Sequence, residues 1–245
     1  MIEKPRNFVN LWHNYCTIKT TMNRIKTLTI TFNNNLAKYE IAKFRGAVIA
    51  SLDSKDILFH NHKQDNYRYA YPLIQYKSLR GKAAIVCIGE GTEAIGNFFA
   101  AGNHDITMGE RHETLQVSNV DASNTVVQCW DTALHYHISD WIPLNSDNYR
   151  IYAQTEGMVQ RLQMLEGILV GNILSFLKTM DIHLEQQLQC SITHLQPRNP
   201  VKIKNIKMTC MDVDFATNIS LPDNIGLGKH ASLGLGTTTR KETKS

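Results

Sequence analysis

Hydrophobic and polar positions change period several times along this chain, and each change marks an element. Over residues 24–32, Ile25, Thr27, Thr29 and Thr31 alternate with Lys26, Leu28, Ile30 and Phe32. This β-branched run of period two predicts a strand. Asn33, Asn34 and Asn35 follow as an N-cap, and Ala37, Ile41, Phe44 and Val48 recur at helical spacing, predicting a helix to about Leu52. Two further β-rich runs, Tyr69–Tyr76 and Ala83–Ile88, flank Arg80 and Gly81 and predict a hairpin. Thr92 opens a short helix carrying Ile95, Phe98 and Phe99, with Gly102 as its stop. Residues 106–130 read as further strands, which completes a β-α-β-β-α-β order. Met22 opens the first strand pattern, so residues 1–21, which show no periodicity, read as an upstream extension.

The second half starts from one long amphipathic stripe: Met158, Leu162, Leu165, Leu169, Ile173, Leu177 and Met180 repeat at three- and four-residue steps and predict a helix with a buried face. Strand-like runs follow at 188–195, 200–207 and 209–218, and Leu221-Pro222-Asp223-Asn224 turns the chain into a glycine-rich segment. The expected organisation is a first unit over 22–140, a second over 141–236 and a mobile polar tail over 237–245.

Composition narrows the class without naming a chemistry. With 245 residues, 42% hydrophobic and 20% charged, the chain has the make-up of a globular protein of two small domains or one larger one. Five widely spaced cysteines without a Cys-x-x-Cys pair suggest neither a disulfide framework nor a zinc ribbon, and fit a reducing cytoplasm. No apolar run approaches the roughly 20 residues of a membrane span, so no membrane partner is expected. A net charge of +4 supports an anionic partner only weakly, but its distribution is uneven. Arg198, Lys202, Lys204 and Lys207 fall in one acid-free stretch, with Lys202 and Lys204 on one strand face. They read either as a phosphate track or as lysines blunting a strand edge.

The segment from Gly226 to Gly236, Gly-Leu-Gly-Lys-His-Ala-Ser-Leu-Gly-Leu-Gly, sets glycine pairs on both sides of a basic centre. Gly226, Gly228, Gly234 and Gly236 permit positive φ and close approach of backbone amides to phosphates, while Lys229 and His230 add charge; the same glycines also suit a plain tight turn. Gly226-x-Gly228-x-x-Ala231 is no dinucleotide fingerprint, because only nine residues follow Gly236. Gly228-Lys229 is no phosphate loop, because His230 stands where Ser or Thr is required.

Asn224-Ile225 followed by this glycine block resembles the signature of the RAMP superfamily, specifically the CRISPR-associated protein 6 family, over most of Met22–Gly236. Leu58-Phe59-His60-Asn61-His62, Tyr67-Arg68-Tyr69 and Pro72–Lys77 are similar to the N-terminal half of a paired-histidine subgroup. Leu235 departs from the pattern, where an aromatic residue is as common. The resemblance implies an α+β fold of tandem ferredoxin-like, RRM-like domains and cleavage of CRISPR repeat RNA. It also implies partners among CRISPR effector or adaptation proteins and a monomer or homodimer, without metal or cofactor. A non-catalytic subunit that holds crRNA would keep the same fold and loop.

RNA carries its own nucleophile, so one base and one acid suffice, and imidazole serves either role near neutrality. His62 is the first candidate for acid or base, His60 its partner or a phosphate ligand, and Tyr69, with Tyr67 as competitor, the residue resembling the subgroup's catalytic tyrosine. Lys43 and Arg45 read as charge neutralisers or as a solvated helix face. His60-x-His62 and His135-x-His137 could each place two imidazoles on one strand face as metal ligands.

Overall fold

The computed structural model describes residues 23–52, 71–100, 102, 104–203 and 205–242. It contains two four-stranded sheets and a small hairpin. In the first unit, β1 (Arg24–Asn35) leads through a 3-10 turn (Lys38–Glu40) into α1 (Ile41–Ala50), followed by β2 (Ile74–Leu79), β3 (Lys82–Ile88), α2 (Gly91–Ala100) and β6 (Val117–Val126). The added hairpin β4 (Asp105–Met108) and β5 (Arg111–Thr114) sits between α2 and β6. The sheet order β2-β3-β1-β6 is that of a ferredoxin-like unit.

The second unit repeats that order. β7 (Cys129–Trp141) leads through α3 (Ser146–Gln154) and α4 (Met158–Thr179) to β8 (Cys190–Ile203), β9 (Ile206–Ile219) and β10 (Thr237–Arg240), and the sheet runs β10-β7-β9-β8. The glycine-rich segment stands where the second helix of such a unit would be.

Several expected boundaries move, each for a physical reason. Asn33–Asn35 continue β1 instead of capping a helix, because Asn35 pairs with Lys82; the Asn34 side chain instead donates to Glu113 at 3.0 Å and accepts from the Gln116 amide at 3.1 Å. The runs at 188–195 and 200–207 are not separate strands. Pro197 and Pro200 are tolerated inside β8 because it is an edge strand, and the reversal comes at Asn205, where φ is 66°. The boundary expected at 140 falls within β7, whose hydrogen bonds to β9 and β10 put Cys129–Trp141 in the second sheet. Thr237–Arg240, expected as mobile tail, pairs with Tyr136–Ser139. The stripe of α4 is buried from Leu165 through Leu177, whereas Met158 is 68% exposed.

Strand parity gives each face of the first sheet its own core. Leu28, Ile30, Phe32, Tyr76, Ile85 and Cys87 pack with Phe44 and Val48 of α1 and with Ile95 and Phe98 of α2. The opposite face presents Ile25, Val86 and Ile88, which join Trp141, Phe176 and Ile225 in a core shared with the second unit. Thr27 and Thr29 are buried on that same face at 6% and 9% exposure. Since this core spans both units, Ile88→Ala should cost about 2–5 kcal/mol. Urea unfolding followed by far-UV circular dichroism and by tryptophan fluorescence should keep a single midpoint; separate midpoints would show that the units unfold independently.

Candidate RNA-binding site

The glycine segment is held as a closed loop. The Leu227 amide donates to the Gly236 carbonyl at 2.8 Å, Thr238 to the Ile225 carbonyl at 2.8 Å and Asn224 to the Thr238 carbonyl at 2.8 Å. The Gly236 amide reaches the Asp140 carbonyl at 3.1 Å, which ties the loop to the end of β7. Gly228, Gly234 and Gly236 have φ of 88°, 76° and 66°, and His230 is left-handed at 59°. The glycines face protein. A Cβ at Gly236 would lie 1.9 Å from the Leu227 carbonyl oxygen, one at Gly228 would lie 2.8 Å from Trp141 Nε1, and one at Gly226 would lie 2.8 Å from the Ala231 Cβ. Missing side chains here allow the loop to close. Among the described residues, the amides of Gly228, Ser232 and Leu235 have no hydrogen-bond partner. Lys229 is exposed at the loop's centre.

The first unit forms the other wall. Gln75 and Lys77 alternate with Ile74 and Tyr76 along β2, so both point to the second unit. Gln75 Oε1 accepts from the Gly226 amide at 2.8 Å, while its Nε2 donates to the Tyr71 hydroxyl at 2.9 Å and the Pro72 carbonyl at 3.1 Å. Lys77 Nζ donates to Thr237 Oγ1 at 2.9 Å, and that hydroxyl donates to the Gly234 carbonyl at 3.0 Å. Gly234 itself is pressed against the first unit, where a Cβ would lie 2.9 Å from Ile41 Cδ1 and 3.0 Å from the Tyr76 carbonyl. Lys77 is 1% exposed and has no ion pair among the described residues. Burial brings its ammonium down from 10.5 to about 7. No role for Gln75 or Lys77 follows from the sequence, although strand parity puts two long polar side chains on one face and signals an interface.

Lys202 and Lys207 are cross-strand partners near the tip of the β8–β9 hairpin, and Lys202 is exposed. The hairpin runs on past the Trp141–Met211 pair, at the end of the second sheet where Lys229 approaches Ile142. Arg198 pairs with Asp212 at 3.5 Å. His60, His62, Tyr67, Tyr69 and Lys204 lie outside the described residues, as do residues 1–21. Lys43 is exposed on α1 and Arg45 half-buried.

His135 and His137 do share a face, but His137 Nδ1 lies 2.7 Å from Asp214, which also holds Lys241 at 2.8 Å. Burial alone would raise the Asp214 carboxyl; the hydrogen bonds from Lys241 and His137 outweigh it and hold it below its usual value. No metal-ligating group of three or more His, Cys, Asp or Glu occurs among the described residues. No helix among them is long and apolar enough to cross a membrane.

Two ferredoxin-like units joined by a shared core, with a glycine loop clamped between them, define a protein of the RAMP type. Residues 23–126 match the Cas6b N-terminal domain and residues 128–241 the Cas6b C-terminal domain. The chain belongs to the Cas6 family, and both of its halves match the Cas6b branch. A solved structure described as Cas6b is 27% identical, with a TM-score of 0.81, over 89% of this chain and 100% of that one. A second, described as the CRISPR RNA processing endoribonuclease Cas6b, is 25% identical with a TM-score of 0.70 over the same shares. An uncharacterized protein of Methanocaldococcus jannaschii is 35% identical over 105 residues, which is 43% of this chain and 70% of that relative.

Two outcomes follow from this geometry. Gly236→Val should destabilise the protein by about 2 kcal/mol or more, through both the clash and the positive φ, and thermal melting should show this without RNA present. The Lys77 effect has a defined sign. From about pH 7 up to 10.5, the unfolded chain carries a proton at Lys77 that the folded chain has released, so this residue makes stability rise with pH in that window. The Cys87, Cys190 and Cys210 thiols, pushed up from 9.0 by burial, act in the opposite sense only above about pH 9. Urea titrations at pH 7.0 and 8.5 should show a rise of about 1–2 kcal/mol in wild type relative to Lys77→Met; parallel curves would contradict it.

Proposed function

We propose that this chain is a metal-independent endoribonuclease that cuts precursor CRISPR RNA within its repeats. The observation that carries the reading is the clamped glycine loop: among the described residues the amides of Gly228, Ser232 and Leu235 have no hydrogen-bond partner, and Lys229 beside them is exposed, in a chain of the Cas6 family. The similarity to a structure described as a CRISPR RNA processing endoribonuclease supports it.

In this reading the loop and His230 grip the RNA backbone while Lys202 and Lys207 at the hairpin, and Lys204, follow the adjoining phosphates. The 2′-hydroxyl upstream of the cut attacks phosphorus, and the bond to the 5′-oxygen breaks. His62 and His60 remove the hydroxyl proton and supply one to the departing oxygen, with Tyr69 orienting the reacting groups. The products are a 2′,3′-cyclic phosphate or 3′-phosphate and a 5′-hydroxyl, released in the cytoplasm as mature crRNA for a CRISPR effector.

Single-turnover cleavage of repeat RNA is the test. His62→Ala should slow it by about 100- to 10,000-fold with little change in binding. A single 2′-deoxy nucleotide before the scissile phosphate should stop cutting, and excess EDTA should not. Cleavage of the deoxy substrate at the same site, or an EDTA loss restored by a divalent ion, would replace this mechanism with metal-assisted attack of water. Tight binding of repeat RNA without any cutting would make the chain a crRNA-holding subunit.

A further inference from the structure

A fully buried lysine ordinarily meets a carboxylate; Lys77 meets a hydroxyl. Its ammonium has three N–H donors, and among the described residues one of them is used, on Thr237 Oγ1 at 2.9 Å. Lys77 belongs to β2 and Thr237 to β10, so the contact crosses from the first unit to the second. It continues beyond the hydroxyl, which donates its own hydrogen to the Gly234 carbonyl at 3.0 Å.

The Gly234 carbonyl and the Leu235 N–H belong to one planar trans peptide and point opposite ways. The Leu235 amide is therefore aimed away from the Thr237 hydroxyl, and it has no hydrogen-bond partner among the described residues. Lys77 Nζ, Thr237 Oγ1, the Gly234 carbonyl and the Leu235 amide form one directional chain from β2 into the glycine loop. Each bond in such a chain polarises the next, and a charged donor at its head strengthens the donor at its end.

We propose that Lys77 is a positioning residue for RNA: through Thr237 it fixes and polarises the Gly234–Leu235 peptide, so that the Leu235 amide donates to a phosphate oxygen of the RNA backbone, and bound RNA in turn favours the charged form of Lys77. This role rests on the reading of the loop as an RNA grip. At 1% exposure Lys77 acts through the peptide and not by touching the RNA.

The surroundings of Lys77 give the pH dependence its sign. β3 sets Ala84 opposite Lys77, and Tyr76 stands on the other face of β2. α1 brings Lys43 and Arg45, β10 the exposed Arg240 and the loop Lys229 and His230, while Asp140 at the end of β7 is paired with Lys38. Among the described residues burial is the one influence that moves the Lys77 ammonium, down to about 7. A phosphate supplies the missing negative charge. Above about pH 7 the free protein has released this proton and binding takes it back, so affinity falls as pH rises.

The test is the anisotropy of labelled repeat RNA, with a 2′-deoxy nucleotide before the scissile phosphate and in EDTA, at pH 6.5 and 8.5. Wild-type affinity should fall about three- to tenfold more over this range than that of Lys77→Met, in which the histidines still titrate. Thr237→Val keeps the branched shape and removes the hydroxyl, and should weaken binding about three- to tenfold at pH 6.5. Thr237→Ser keeps the hydroxyl and should retain both the wild-type affinity and its pH slope. A packing role alone would reverse the order of these two variants. Parallel pH profiles of wild type and Lys77→Met, or wild-type affinity in Thr237→Val, overturn the relay and leave the RNA grip standing. So does slower cleavage of unmodified, saturating RNA by Lys77→Met with affinity and pH profile unchanged, which would make Lys77 a group of the cleavage step. Failure of the wild type to hold repeat RNA at either pH overturns the grip and the relay together.

Discussion

Gly236 sits where a Cβ would come within 1.9 Å of the Leu227 carbonyl oxygen, and the loop closes only because nothing is there. That contact sets the distance between the two arms of the segment, so Leu227 can donate to Gly236 and Thr238 to Ile225. The same closure presents Gly226 to Gln75 and Gly234 to the backbone of Tyr76. Loop shape and the docking of the two units are therefore one constraint. If the first unit withdrew, the Gly226 amide and Lys77 Nζ would exchange these hydrogen bonds for water, each worth about 0.5–1.5 kcal/mol net.

The electrostatics of the loop follow from the same closure. Several cations elsewhere are matched by acids: Lys38 by Asp140, Arg198 by Asp212 and Lys241 by Asp214. At the loop, Lys77 lies buried with a neutral hydroxyl as its partner, Lys229 is exposed, and three amides point to no acceptor among the described residues. Desolvation makes the Lys77 charge costly, and an anion on the other side of the loop would repay part of that cost.

The second unit spends its chain differently from the first. Where the first unit covers its sheet with α2, the second has seventeen residues of turn and glycine loop between β9 and β10, from Ser220 to Gly236. The surface that a second helix would have covered is closed by Leu221, Ile225 and Leu227 instead, all of them in the shared core. The glycine loop is thereby anchored by apolar side chains, and among the described residues the amides of Gly228, Ser232 and Leu235 have no hydrogen-bond partner. That combination gives rigidity without covering the amides.

Much of this was legible in local pattern. The alternation of Ile25 to Phe32, the Arg80–Gly81 turn and the stripe from Leu165 to Leu177 depend on neighbours a few residues away, and period alone determines them. The glycine spacing of 226–236 was legible as well, because no other residue type tolerates repeated positive φ. Pattern failed where distant chain decided the outcome. Asn33–Asn35 look like a cap, yet pairing with Lys82 keeps them in a strand; Met158 continues the helical stripe, yet no partner covers it. Thr27 and Thr29 alternate with apolar residues as one face of a strand would, and they too are buried, at 6% and 9% exposure. The sequence left the glycines open between close approach to phosphates and a plain tight turn; the contacts that forbid a side chain at Gly228 and Gly234 come from Trp141, Ile41 and Tyr76, distant in sequence. Gln75 and Gly226 are 151 positions apart, and Lys77 and Thr237 are 160 apart. The sequence by itself determined the elements, the order of the first unit and the position of the loop, because these are short-range. Only the tertiary structure decided which faces meet and what the loop presents outward, because those depend on contacts formed after both sheets are in place.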